Sequence, residues 1–179
     1  QHQDGHSHLF SATIPNCLSY DPAYAYELAV IFQHGIQKMF VELENYYYYI
    51  TVTNENYEQP AQPEGSDEGI IRGMYRLIEN KKHQVILLGS GSILNESVKA
   101  VEILSSVGIV AEVWSVTSFN MLRKDGIDKQ RFNELNPDLP SKVSYVEECL
   151  SNKSIPVIAS TDYMRAYPEQ IRSYIEAPF

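Results

Sequence analysis

Basic residues, cysteine and long apolar runs are what this chain has little of, and each scarcity closes off a class of function. Lysine and arginine number 14 against 23 aspartates and glutamates, a formal charge of -9 over 179 residues. A phosphate backbone is held by clustered cations. No Lys/Arg-rich run occurs, so no nucleic acid is expected as a partner. Cys17 and Cys149 are the only cysteines. They are too few and too far apart for a disulfide framework or a zinc ribbon, and they read as inert thiols in a reducing cytoplasm. No apolar stretch reaches bilayer length, and no basic-then-apolar leader opens the chain. No membrane is expected, and the localisation reads as cytoplasmic. Histidine is scarce too, at 5 residues, yet His2, His6 and His8 all stand in the first stretch.

What is present is an ordinary globular balance, 44% hydrophobic and 21% charged, enough for a real core. The polar start, with no initiating Met, suggests that residues precede Gln1. Cys17 to Tyr20 reads as a short strand. Asp21-Pro22 then supplies a helix-capping carboxylate and a residue preset for the first turn, which predicts a helix from about Pro22 to Glu42. Its apolar stripe is Tyr24, Leu28, Phe32, Ile36 and Met39. Tyr46 to Val52 is dense in aromatic and β-branched residues and predicts a strand buried on both faces. Side chains alternate along a strand, so at most two of the tyrosines share a face, and core packing is favoured over a base-stacking platform.

Asn54 to Asp67, with Pro60, Pro63 and Gly65, lacks any period and marks a domain junction. The division is placed at residues 1–62 and 63–179. Glu68 to Leu77 reads as a helix turning into a strand. Beyond it the pattern is strand (Val85–Leu88), tight turn (Gly89–Ser92), helix face (Leu94, Val98, Val101, Leu104) and strand (Ile109–Val116). That order is a right-handed βαβ crossover, hence an α/β fold with a mostly parallel sheet. Asp128–Leu135 and Ser144–Leu150 predict short helices, Pro156–Ser160 a strand and Pro168–Ile175 a last helix.

The first eight residues are the first candidate for chemistry. His2, His6 and His8, with Asp4 as an oxygen ligand, would suit zinc. The same run also fits a solvated loop, or a substrate site in which Asp orients and His donates. Residue chemistry alone leaves the three open. Gly89-Ser90-Gly91 lacks the third glycine of a dinucleotide fingerprint, since Leu94 stands there, and no lysine makes it a Walker loop. Asn54-Glu55-Asn56-Tyr57 reads as a turn unless the histidines lie near it. Thr117-Ser118-Phe119 and Ser160-Thr161-Asp162-Tyr163 read as strand-to-helix loops with capping roles.

Taken together, several stretches carry a resemblance. His2-Gln3-Asp4-Gly5-His6-Ser7-His8, Thr13–Cys17 and Tyr20–Glu27 lead, followed by Tyr47–Thr51, Asn54–Tyr57 and Pro63–Gly65. Leu87–Leu94, Val113–Phe119 and Ala159–Met164 complete it. In this order they resemble the homodimeric-type pyruvate dehydrogenases, the thiamine diphosphate-dependent decarboxylating components of bacterial pyruvate dehydrogenase complexes. The resemblance implies a C-terminal fragment: the end of a pyrimidine-binding domain, then a transketolase C-terminal-like α/β domain incomplete at its end. It implies thiamine diphosphate and Mg2+ as cofactors, held mostly by residues absent here. The implied partners are a second subunit, pyruvate as substrate and a lipoyl-bearing dihydrolipoyl acetyltransferase. An Asp-Gly-x-x-His motif, matched by Asp4, Gly5 and His8, would face thiazolium and substrate. His8 and Asp4 are then the catalytic candidates, His8 and His6 the substrate contacts, and Asp4 and His2 the cofactor contacts. Gln3 stands where the family usually has Glu, which removes a charge beside the site. The metal-binding Gly-Asp-Gly stretch and the cofactor-activating glutamate lie outside this chain, so the fragment alone is expected to be inactive. Other 2-oxo acid dehydrogenases are the nearest rival within the enzymes. A non-catalytic dimerisation or interaction domain, with a histidine loop or zinc site, is the alternative outside them.

Overall fold

The computed structural model describes residues 4–179 and arranges them around two sheets. The first is a parallel pair. It joins β1 (Cys17–Tyr20) to β2 (Tyr47–Ile50), with Cys17 opposite Tyr47 and Tyr20 opposite Ile50. Between them run α2 (Ala25–Ile36) and a π-helical turn, Gln37–Val41; α1 (Ser7–Ser11) precedes β1. Thr51 to Ser66 then carries no helix or strand.

The second sheet has the strand order β3-β5-β4-β6. Its members are β3 (Tyr75–Ile78), β4 (Val85–Gly89), β5 (Ala111–Ser115) and β6 (Val157–Ser160). The last three are mutually parallel and β3 is an antiparallel edge. Strands of such a sheet are covered on both faces and therefore read as unbroken apolar runs. Side chains of β4 alternate accordingly. Val85 and Leu87 pack with Val113 and with Leu94 of α4 (Leu94–Ser106). Ile86 and Leu88 pack with Trp114 and with Phe119 and Leu122 of α5 (Phe119–Leu135). Two short helices, α3 (Asp67–Arg72) and α6 (Tyr145–Cys149), and a 3-10 helix, Pro168–Tyr174, complete the chain. The α6 capping box holds as chemistry requires: Ser144 accepts from the Glu147 amide and Glu147 accepts from the Ser144 amide at 2.6 Å.

The βαβ crossover and mostly parallel sheet match the reading of the sequence. Four local expectations are corrected. The helix after Pro22 starts at Ala25, because the Glu27 carboxylate, not Asp21, takes the open amides of Ala23 and Tyr24 at 2.6 and 3.0 Å. Its buried face is Glu27, Ile31 and Gly35, whereas Phe32 and Ile36 of the expected stripe are more than half exposed. The tyrosine strand is not buried on both faces: Tyr47 is exposed and Tyr48 to Ile50 are half-buried, since β1 is its sole partner among the described residues. The helix expected at Asp128–Leu135 begins at Phe119, capped by the Ser118 hydroxyl, which accepts from the Met121 amide.

Glu27 ties the two sheets together. Fully buried, it accepts hydrogen bonds from the Tyr75 hydroxyl of β3 (2.7 Å) and the Ser115 hydroxyl of β5 (2.6 Å) besides the two amides. Burial raises its pKa, and those four donors oppose the rise. A buried carboxylate is tolerated only when its lone pairs are satisfied in this way.

Candidate active site

Parallel sheets gather ligands outside the carboxyl ends of their strands, and here both sheets aim that end at one place. Asp21 follows β1, Thr51 follows β2, Ser90 follows β4, and Thr161 to Tyr163 follow β6. All of these except Thr161, with Asp4, Tyr49, Thr53, Gly91 and Ser92, line a cleft of about 260 Å³. The cleft is acidic: Asp4, Asp21 and Asp162 line it, and among the described residues no lysine or arginine does.

His8 sits on α1, a helix where a loop was expected, and is fully buried. Its ring stacks on Tyr167 at 5.0 Å and meets Tyr163 and Tyr49 edge-on at 4.8 and 5.3 Å. Burial lowers its pKa to about 4, against the opposing pull of the Asp4 carboxylate, so the imidazole is neutral at physiological pH. Its Nε2 lies 2.9 Å from the Thr51 hydroxyl. The ring stands behind Thr51 and Tyr163 and does not itself line the cleft.

Asp4 caps the start of α1. It accepts from the amides of His6 (3.1 Å) and Ser7 (3.0 Å) and from the Ser7 hydroxyl. Burial raises its pKa, but those three donors and the nearby His6 outweigh it and hold the carboxyl below the usual range. Gly5 accepts from the Met164 amide at 2.9 Å, which pins the motif to the loop after β6. Of the residues expected to act together, Asp4 and His8 converge. His6 is exposed, its ring edge-on to Phe10, and His2 lies outside the described residues. Among the described residues no group of three His, Cys, Asp or Glu side chains gathers to hold a metal ion. The zinc reading therefore finds no support there.

Two stretches expected to serve as caps line the cleft instead, Asp21 and the Ser160–Tyr163 loop. Asp21, expected to cap a helix, is 7% exposed and faces the cleft floor. It accepts from the Thr51 hydroxyl at 2.6 Å, and the Tyr163 hydroxyl lies 3.5 Å away. Burial lifts its pKa to about 6, with Asp162 and Glu27 adding to the rise and Thr51 and Ser90 opposing it. Gly91 has φ +53°, and a Cβ there would stand 2.6 Å from Asp21 Oδ2. The Gly89–Gly91 stretch, expected as a tight turn, thus serves close approach of the Asp21 carboxylate. The Ser160–Tyr163 loop supplies cleft lining and the Thr161 hydroxyl, which accepts from Ser90 at 2.9 Å. Asp21 and this loop each follow directly on an expected strand, and that position was the available signal. Asn120 on α5 was overlooked entirely: its side-chain amide donates to the His8 carbonyl at 2.7 Å and to Ser19 of β1 at 2.5 Å. Asn54–Tyr57, expected as a turn, is extended without a turn, and the Tyr57 hydroxyl donates to the Ala23 carbonyl.

The three carboxylates that line the cleft would favour a positively charged heterocycle such as that of a thiamine cofactor, and among the described residues no group of three His, Cys, Asp or Glu side chains gathers to hold the divalent cation of its diphosphate.

Residues 1–60 match the family described as the pyruvate dehydrogenase E1 component middle domain, and residues 73–177 match the transketolase-like C-terminal domain. The chain is 58% identical over 179 residues to the pyruvate dehydrogenase E1 component of Pseudomonas aeruginosa, covering 98% of this chain. It is 52% identical over 181 residues to that of Escherichia coli K12, covering 99%. In both cases it spans 20% of the relative's length. Solved transketolases share the fold. That of Campylobacter jejuni aligns with TM-score 0.68 at 18% identity, covering 99% of this chain and 23% of its own. That of Leishmania mexicana aligns with TM-score 0.64 at 20% identity, covering 99% and 22%. The chain therefore belongs to the transketolase-like C-terminal domain family, joined to the middle domain found in pyruvate dehydrogenase E1 components.

Proposed function

We propose that this chain is the C-terminal part of a pyruvate dehydrogenase decarboxylating component. The whole protein would decarboxylate pyruvate on thiamine diphosphate and pass the acetyl group to the lipoyl arm of a partner acyltransferase, acting as a cytoplasmic homodimer with Mg2+. The observation that carries this reading is colinear identity of more than half over nearly the whole chain with an E1 component. The junction between its two domains falls at residues 62 and 63, inside the stretch without helix or strand.

The cofactor, when bound, supplies the electron sink for the carbanion. This chain's residues supply the environment of its cationic end. Asp4, fixed by three donors, holds a negative charge at the cleft wall. His8, neutral and buried, backs the same wall through Thr51. The diphosphate and its Mg2+ belong to residues outside this chain, so the 179-residue chain alone binds neither and turns over no pyruvate. Titration calorimetry of the isolated chain with thiamine diphosphate and Mg2+ tests this: no saturable heat is expected, and a magnesium-dependent isotherm would refute it.

A further inference from the structure

We propose that Thr51 and Asp21 are positioning residues for His8, holding its imidazole as the tautomer protonated on Nε2 and leaving Nδ1 as its one acceptor. The geometry is a three-member chain. The Thr51 hydroxyl lies 2.6 Å from Asp21 Oδ1 and 2.9 Å from His8 Nε2. It carries a single proton. The Tyr20 carbonyl, at 3.4 Å, is too distant to compete for it. An ionised carboxylate only accepts, so the proton lies toward Asp21. The Thr51 oxygen must then accept, and the only donor that His8 can offer it is Nε2–H. Which imidazole nitrogen holds the proton is set by the bond the other groups make.

An independent observation agrees. His8 Nδ1 is buried and has no hydrogen-bond partner among the described residues. A buried orphan N–H is rarer in proteins than a buried acceptor lone pair. The reverse tautomer would place such a donor there and also leave the Thr51 and Asp21 oxygens facing each other with no proton between them. The groups facing Asp21 are Thr51 after β2, Ser90 after β4, Glu27 from α2, and Asp162 and Tyr163 after β6.

The assignment takes from the proposed function only that His8 is a site residue. Its readout uses neither cofactor nor substrate, so it fails or stands separately from that reading. Uniformly 15N-labelled chain is examined by long-range 1H–15N correlation at neutral to mildly alkaline pH, with His8 assigned by its loss in His8→Gln. The expected result is an Nε2–H pattern favoured about tenfold or more. Thr51→Val removes the acceptor and should bring the two tautomers toward parity, with Thr51→Ser restoring the preference. Thr51→Ala makes the same comparison if the valine variant does not fold. An Nδ1–H pattern in the unsubstituted chain would overturn the proposal. So would an unchanged ratio in a folded Thr51→Val or Thr51→Ala variant. A folded Asp21→Asn variant with the unsubstituted ratio would remove Asp21 from it.

Discussion

His8 and Asp21 sit two hydrogen bonds apart with opposite displacements, and the pair gives this site a definite pH behaviour. The folded His8 titrates near 4 against an ordinary 6.5. The unfolded chain therefore takes up its proton first, and the stability tied to neutral His8 is lost as pH falls from 6.5 toward 4. Asp21 titrates near 6 against 3.8. Its folded form keeps a proton that the unfolded chain releases, so its contribution is present below about 4 and lost as pH rises through 6. The two slopes oppose each other over the same window. Urea denaturation at several pH values should show Asp21→Asn losing stability relative to the unsubstituted chain as pH falls from 6 to 4. His8→Asn should gain over that range, each by up to about 3 kcal/mol. Parallel curves would mean the shifts are absent. Asn120→Ala should cost about 2–4 kcal/mol, because it opens a buried site and removes the side-chain partner of the Ser19 hydroxyl and the Gln170 amide. Asp4 and His8 stood out as candidates because a dense histidine–aspartate run is rare. Asp21 did not, because Asp-Pro is chemically a good helix start and nothing local shows that Glu27 takes that task.

Helices and strands divide by whether their neighbours could be inferred from local pattern. The βαβ crossover was readable because its strands are covered on both faces and so are uniformly apolar. The first half of α5 was not: Asn120 and Arg123-Lys124-Asp125 break the apolar pattern of a helix whose buried face is Phe119, Asn120, Leu122 and Gly126. The face of α2 was misassigned because its apolar residues encircle it. Ile31 is fully buried against Leu18 and Tyr20, whereas Phe40 on the following turn is 71% exposed. Ile31→Ala should cost about 2–5 kcal/mol and Phe40→Ala about 0.5 kcal/mol or less, by chemical denaturation. At the turn after β4, Gly91→Ala combines a left-handed φ with a contact on the Asp21 carboxylate. A loss of about 2 kcal/mol or more is expected. A smaller loss would mean that Asp21 moves freely.

At the scale of the molecule, two sheets joined through Glu27 aim their strand ends at one acidic cleft. The placement is what gives the first stretch its meaning. Spacing alone left a zinc site, a solvated loop and a substrate site equally open, because it could not show that Thr51, Asp21 and Tyr163 converge on His8 from strands far apart in sequence. The cleft is lined by carboxylates, with the buried His8 imidazole behind its wall, a setting that suits the cationic heterocycle of the proposed cofactor. In the full-length protein, steady-state decarboxylation of pyruvate by His8→Ala measures the central claim directly. A fall in kcat of about a hundredfold or more, with the fold retained, is the predicted result. Unchanged kcat and KM in a folded His8→Ala enzyme would contradict the placement of His8 in the active site.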